Sequence, residues 1–207
     1  MKKVLLRGPL LSNSGYGVHS RQVFEYLITR KDIDLKCDIL SWGNTSWQLK
    51  EYDDKSFLNI EKIIEKYISK DDINSSYEDK FDETYQVCFP NEWIKISSFD
   101  VGITAGVETT LCNPMWLKHI NLMDKVIVPS EFTMQTFENT SKYHDIEINT
   151  DIKVIPEYYS EEFLLEESNF DILKNITTEN NVLIIGQLTS TDQECDRKNI
   201  FETIEHS

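Results

Sequence analysis

Cysteine is scarce and scattered. The four in 207 residues are Cys37, Cys88, Cys112 and Cys195, and no two form a Cys-x-x-Cys pair. That excludes the common metal-ligand spacings and argues against a disulfide framework, so reduced thiols and a cytoplasmic location are expected. No apolar run approaches the ~20 residues needed to span a bilayer. The N-terminus puts Lys2 and Lys3 ahead of Val4, Leu5 and Leu6, but Arg7, Gly8 and Pro9 break the run before it reaches the ~7–15 residues of a signal-peptide core. A buried first strand is the expectation. Positive charge is also short: Lys and Arg total 21 against 36 Asp and Glu, a net charge of -15. Nonspecific binding to nucleic acid or anionic lipid is disfavoured, because both reward clustered cations. Asn-x-Ser/Thr triplets such as Asn44-Thr45-Ser46 are read as chance, since no secretory signal precedes them.

Hydrophobic residues make up 40% of the chain, enough for a sizeable core. Their pattern alternates short apolar runs with amphipathic stretches. Strands are expected over residues 3–7, 33–40, 85–89, 99–104, 125–128 and 152–155. Helices are expected over residues 18–30, where Val18, Val23, Phe24, Leu27 and Ile28 share a face, and over residues 57–68, 114–123 and 130–139. Pro114 suits a helix start, and Ser130 suits an N-cap with Glu131 in the first turn. Continuous apolar strands alternating with helices predict an α/β fold, a Rossmann-like parallel sheet with helices on both faces. Residues 1–157 are expected to form that domain and residues 158–181 an acidic connector. Residues 182–207 would open a second α/β domain, with Val182, Leu183, Ile184 and Ile185 as its first strand.

In such sheets ligands bind beyond the C-terminal strand ends. The loops following the strands therefore hold the candidates. Three of the seven glycines lie between Gly8 and Gly17. Gly15-Tyr16-Gly17 precedes a helix, where glycines permit close approach of a phosphate or sugar and free N–H groups favour an anion. A turn requiring positive φ explains the same glycines. A dinucleotide fingerprint wants a third small residue where Ser20 stands, so a nicotinamide cofactor is disfavoured. His19 could hold an acceptor hydroxyl or phosphate, or simply pack. Glu108, after the fourth strand, could bind a hydroxyl or act as a base, or cap local backbone. Arg197 and Lys198 precede an apolar helix, where cations oppose the helix dipole unless an anion sits between them. Trp42, Trp47 and Trp93 could stack on sugar rings or pack beneath loops.

Taken in order, these segments resemble the GT-B glycosyltransferases, built of two facing Rossmann-like domains. Within them they are most similar to the family 4 group of retaining, nucleotide-sugar-dependent enzymes. The resemblance is carried by five segments. They are Leu10 through Gly17 with Val18-His19-Ser20-Arg21; Gly106-Val107-Glu108-Thr109-Thr110 followed by Trp116; Met123 through Phe132; Lys153-Val154-Ile155-Pro156; and Ile185-Gly186-Gln187 with Arg197-Lys198-Asn199.

The resemblance implies a hexosyltransferase moving sugar from a nucleotide-diphosphate sugar to a glycan, lipid or small-molecule acceptor, without a metal or other cofactor. By the same resemblance Gly15 and Gly17 lie near the donor diphosphate or transferred sugar. Glu108 and Thr109 line the acceptor side, and Lys198 with Arg197 neutralises the leaving diphosphate; Tyr16, His19 and Ser130 are further substrate-binding candidates. Two departures stand out. Gln187 occupies a position where relatives carry arginine, and the family's paired glutamates, with seven residues between them, lie beyond Ser207. Glu194 and Glu202 share that spacing by coincidence. The chain is expected to be the acceptor half, with little turnover alone. The alternative is a non-catalytic module that binds glycan or a partner.

Overall fold

The computed structural model describes residues 1–12, 14–41, 63–68 and 80–158. The chain divides into two compact units, Met1–Tyr158 and Tyr159–Ser207. The second unit, with the expected connector and the start of the second domain, lies outside the described residues.

Six strands form one sheet: β1 (Lys2–Gly8), β2 (Ile33–Ile39), β3 (Glu83–Val87), β4 (Asp100–Ile103), β5 (Lys125–Val128) and β6 (Asp151–Val154). Their order is β2-β1-β3-β4-β5-β6, and every pairing is parallel. The expected α/β, Rossmann-like parallel sheet is therefore what the chain forms. Parallel strands must have both faces covered, and the central ones read accordingly: Val4, Leu5 and Leu6 of β1 are all buried.

The two faces carry separate cores. Helix α1 (Gly15–Thr29) packs Phe24 and Leu27 onto Val4, Leu6, Val87, Val101 and Ile103. Helices α2 (Met115–Ile120) and α3 (Glu131–His144) cover the opposite face, where Trp116, Leu117, Ile120 and Phe137 meet Val126 and Val128.

Helix boundaries differ from the sequence expectation for identifiable reasons. Helix α1 begins three residues early because the Ser14 hydroxyl accepts the Gly17 N–H at 3.1 Å and caps the helix. Its buried stripe runs through Gly17, Ser20, Arg21, Phe24 and Leu27. Val18 and Ile28, expected on that stripe, are exposed instead. Helix α3 runs five residues past Asn139 to His144, because nothing breaks it before Asp145, which turns left-handed at φ 53°. Of residues 57–68, only 63–68 are described. Ile63–Glu65 is helical, Ile64 enters the α1-side core, and Ile68 bridges to Cys37 on the outer edge of β2.

Candidate functional site

The direction in which strands are added to the sheet reverses between β1 and β3: from β1 the next strand is laid to one side, and β3 onward to the other. In open parallel sheets that switch point, at the carboxyl ends of the strands, leaves a crevice between diverging loops. The segments there are residues 9–12 and Ser14 after β1, Phe89 after β3, residues 104–111 after β4 and Pro129–Ser130 after β5. They include most of the described candidates.

The loop after β1 is a tightly hydrogen-bonded unit. Arg21, buried in α1, donates from Nη1 to the Leu10 carbonyl at 2.8 Å and to the Ser12 carbonyl at 2.7 Å. Ser12 Oγ accepts the Ser14 N–H at 3.0 Å and donates to Ser14 Oγ at 2.9 Å. Gly17 is fixed by packing, since a Cβ there would lie 2.0 Å from the Ser12 carbonyl oxygen. Gly15 is different: it is exposed, and a Cβ there would meet nothing within 4 Å. Of the two glycines, then, one is demanded by the fold and the other is not. A close approach of helix to strand is made from the strand side. A Cβ on Gly8 would lie 2.7 Å from Ser20 Oγ, and so the helix can carry a serine there.

Tyr16 ties this loop to the end of β4. Its hydroxyl lies 2.7 Å from Thr104 Oγ1 and accepts the Ala105 N–H at 3.2 Å. Burial pushes the Tyr16 hydroxyl up to about 12, against the lowering effect of these hydrogen bonds. Its ring lies 4.8 Å from Phe89, which in turn lies 6.0 Å from Trp116. Tyr16 thus acts as a fixed neutral donor and acceptor, not as an acid or base near neutral pH. Phe89 is 36% exposed at the switch point, and its pattern in the sequence gave no reason to single it out. The turn after it is rigid. Glu92 Oε2 accepts the Phe89 N–H, and Arg7 Nη1 donates to the Glu92 carbonyl at 2.8 Å. Arg7 also pairs with Asp38 at 3.2 Å, both largely buried. Burial pushes the Asp38 carboxyl up, with Arg7 opposing.

The remaining candidates divide. Glu108 and Thr109 are exposed on the loop after β4, where Thr109 Oγ1 donates to the Leu111 carbonyl at 2.7 Å. That loop turns at Gly106, φ 82°, packed on Thr133 of α3. Ser130 caps α3, its Oγ accepting the Thr133 N–H at 3.2 Å, and Thr133 Oγ1 donates to the Ala105 carbonyl at 3.2 Å. The Ser130 side chain therefore has a structural duty. His19 is mostly buried, with Nδ1 3.3 Å from Glu157 Oε1 in the segment after β6. Burial pulls its imidazole below the ordinary histidine range, and the Glu157 charge opposes this.

Trp93 is wholly buried. It donates from Nε1 to the Gln86 carbonyl at 3.1 Å and lies against Gly102, where a Cβ would come within 2.8 Å of its ring. It packs under a loop and presents no face to a sugar. Trp42, Trp47, Arg197 and Lys198 lie outside the described residues.

Among the described residues no three His, Cys, Asp or Glu side chains cluster as a metal site would require, and no helix is long and apolar enough to cross a membrane. Sheet order, parallel pairing and the helix-start loop at the switch point together define the class: an α/β domain of Rossmann-like build. No family model matches the chain, and neither a curated protein nor a solved structure matches it.

Proposed function

We propose that the chain is the acceptor-side part of a glycosyltransferase that uses a nucleotide-diphosphate sugar, of the retaining kind. The observation that carries this reading is a polar and aromatic rim at the switch point of a parallel sheet. There the capped helix start at Gly15-Tyr16-Gly17 meets the loop bearing Glu108 and Thr109. These are two of the segments on which the family resemblance rests, and Tyr16 joins them through its hydroxyl at Thr104 and Ala105. Gly15, whose missing side chain no packing requires, leaves room for a bulky ligand beside the helix N-terminus. In this reading Tyr16 anchors the rim, Glu108 and Thr109 face acceptor hydroxyls, and Lys198 with Arg197 balances charge on the departing diphosphate. No metal is required for that step.

The test is release of nucleoside diphosphate by protein expressed from its complete reading frame, with UDP-, GDP- and ADP-sugars and a panel of glycan acceptors. Acceptor-stimulated release that Lys198→Ala abolishes and Glu108→Gln reduces is the expected result. Glycan binding without turnover by any donor would instead establish the non-catalytic binding module.

A further inference from the structure

The turn after β3 is fixed at several points. Phe89 precedes Pro90 and is held extended, at φ -65° and ψ 145°. Its N–H donates to Glu92 Oε2 at 3.3 Å. Arg7 Nη1 donates to the Glu92 carbonyl at 2.8 Å, and Trp93 Nε1 donates to the Gln86 carbonyl at 3.1 Å. The Gln86 side chain grips Ile94 on both sides, Nε2 donating to its carbonyl at 2.6 Å and Oε1 accepting its N–H at 3.2 Å. Gln86 and Trp93 are wholly buried, so the turn is anchored from inside the fold.

What this turn presents at the switch point is an aromatic ring. Phe89 is 36% exposed. Its ring lies 4.8 Å from that of Tyr16, tilted by 54°, and 6.0 Å from that of Trp116, tilted by 33°. Trp116 is buried and meets Phe137 edge-on at 6.5 Å. A chain of rings therefore runs from the core beneath α3 to the rim and surfaces at Phe89. A single exposed phenylalanine is ordinary on a protein surface. This one stands where open parallel sheets bind their ligands, on a turn fixed by buried side chains. A ring held in place before a ligand arrives adds little ordering cost on binding.

Resting on the reading of the rim given above, we propose that Phe89 is the platform on which a sugar ring of the acceptor stacks.

The chemistry around Phe89 suits a sugar. A hexose ring has an apolar C–H face and a periphery of hydroxyls, and calls for a flat apolar surface flanked by polar groups. Phe89 supplies the surface. Tyr16, packed against it, bonds through its hydroxyl to Thr104 and Ala105. These residues begin the loop that carries Glu108 and Thr109, whose side chains can meet hydroxyls.

NMR of the whole 207-residue chain with labelled phenylalanine tests this. The Phe89 ring is identified by cross-relaxation to Tyr16 and Trp116, and the buried rings of Phe24 and Phe137 serve as references. Titration with maltose, lactose and chitobiose should shift the Phe89 ring and leave the references unmoved, whereas UMP should not shift it. Phe89→Leu keeps an apolar side chain and removes the ring. It should weaken sugar binding about tenfold, the upper range for one aromatic contact, and Phe89→Trp should retain binding. A Phe89 ring unmoved by every one of these sugars overturns the proposal, as does a shift with UMP alone or unchanged binding in Phe89→Leu. The ring titration requires no substitution, so it decides the matter even where a variant fails to fold. Sugar contact at Phe89 in a protein that turns over no donor supports this inference and removes the glycosyltransferase reading. Sugar transfer with an unchanged acceptor KM in Phe89→Leu does the reverse.

Discussion

The loop after β1 and the loop after β4 end at the same edge of the sheet and are built on opposite principles. The first is stiff because its own helix reaches back: Ser14 caps, Arg21 clamps two carbonyls, and Gly17 admits the Ser12 carbonyl against the helix. The second is held from outside, by Tyr16 at one end and by Thr133 and Thr136 of α3 along it, while Glu108 and Thr109 stay exposed. The first loop is a scaffold that carries few free functional groups. The second presents functional groups on a borrowed scaffold. A motif residue is therefore weak evidence of ligand contact until its structural duty has been subtracted.

The sharpest way to break this comparison is at Gly17. Gly17→Ala should cost about 3 kcal/mol, the upper range for overpacking, because backbone rather than a flexible side chain blocks the new Cβ. Gly106→Ala comes next, at about 2 kcal/mol from a left-handed backbone and the clash with Thr133. Urea midpoints measure both, and equal tolerance at the two sites would dissolve the contrast between loops. Tyr16→Phe should cost about 1 kcal/mol, the usual worth of a hydrogen bond, and should raise amide exchange at Ala105 more than at Leu10. Gly15→Ala should change stability by less than about 0.5 kcal/mol. If it still abolishes sugar transfer, Gly15 serves the ligand.

An alkaline titration separates the same residues by charge. Tyr16 and Tyr85 are both pushed up to about 12, mainly by burial. A folded-state value raised above the free tyrosine value near 10 gives a stability contribution that is complete below about pH 10 and lost as pH rises toward 12. Ultraviolet absorbance should therefore show Tyr16 and Tyr85 titrating late, with one late titration lost in Tyr16→Phe and another in Tyr85→Phe.

Much of this fold was legible in the residues. Apolar runs at the six strands, Ser130 as a cap and the alternation of elements led directly to a parallel sheet, because local backbone preference and burial agree there. Residue roles were less legible. Val18 sits among apolar helical positions yet is exposed, since the phase of α1 is set by Gly17 and Arg21 packing on a loop that no periodicity encodes. Trp93 reads equally well as a stacking platform or as core. Gly102 across the sheet decides for the core by leaving space for the ring. Phe89 and Glu157 gave no signal, because their significance comes from neighbours far along the chain: Tyr16 and Trp116 for one, His19 for the other.

The sequence by itself determined that the chain is α/β, where its strands and helices fall, and which loops gather at the carboxyl edge, since these depend on contacts and preferences within a few residues. The tertiary structure alone decided which residues are held inside the packing and which are exposed at the rim. Gly17, Ser130 and Trp93 fell to the first group, while Gly15, Glu108 and Phe89 fell to the second. That partition rests on contacts that hydrophobic periodicity does not encode: Gly17 against the Ser12 carbonyl, Ser130 on the Thr133 N–H, and the Trp93 ring against Gly102 of the neighbouring strand.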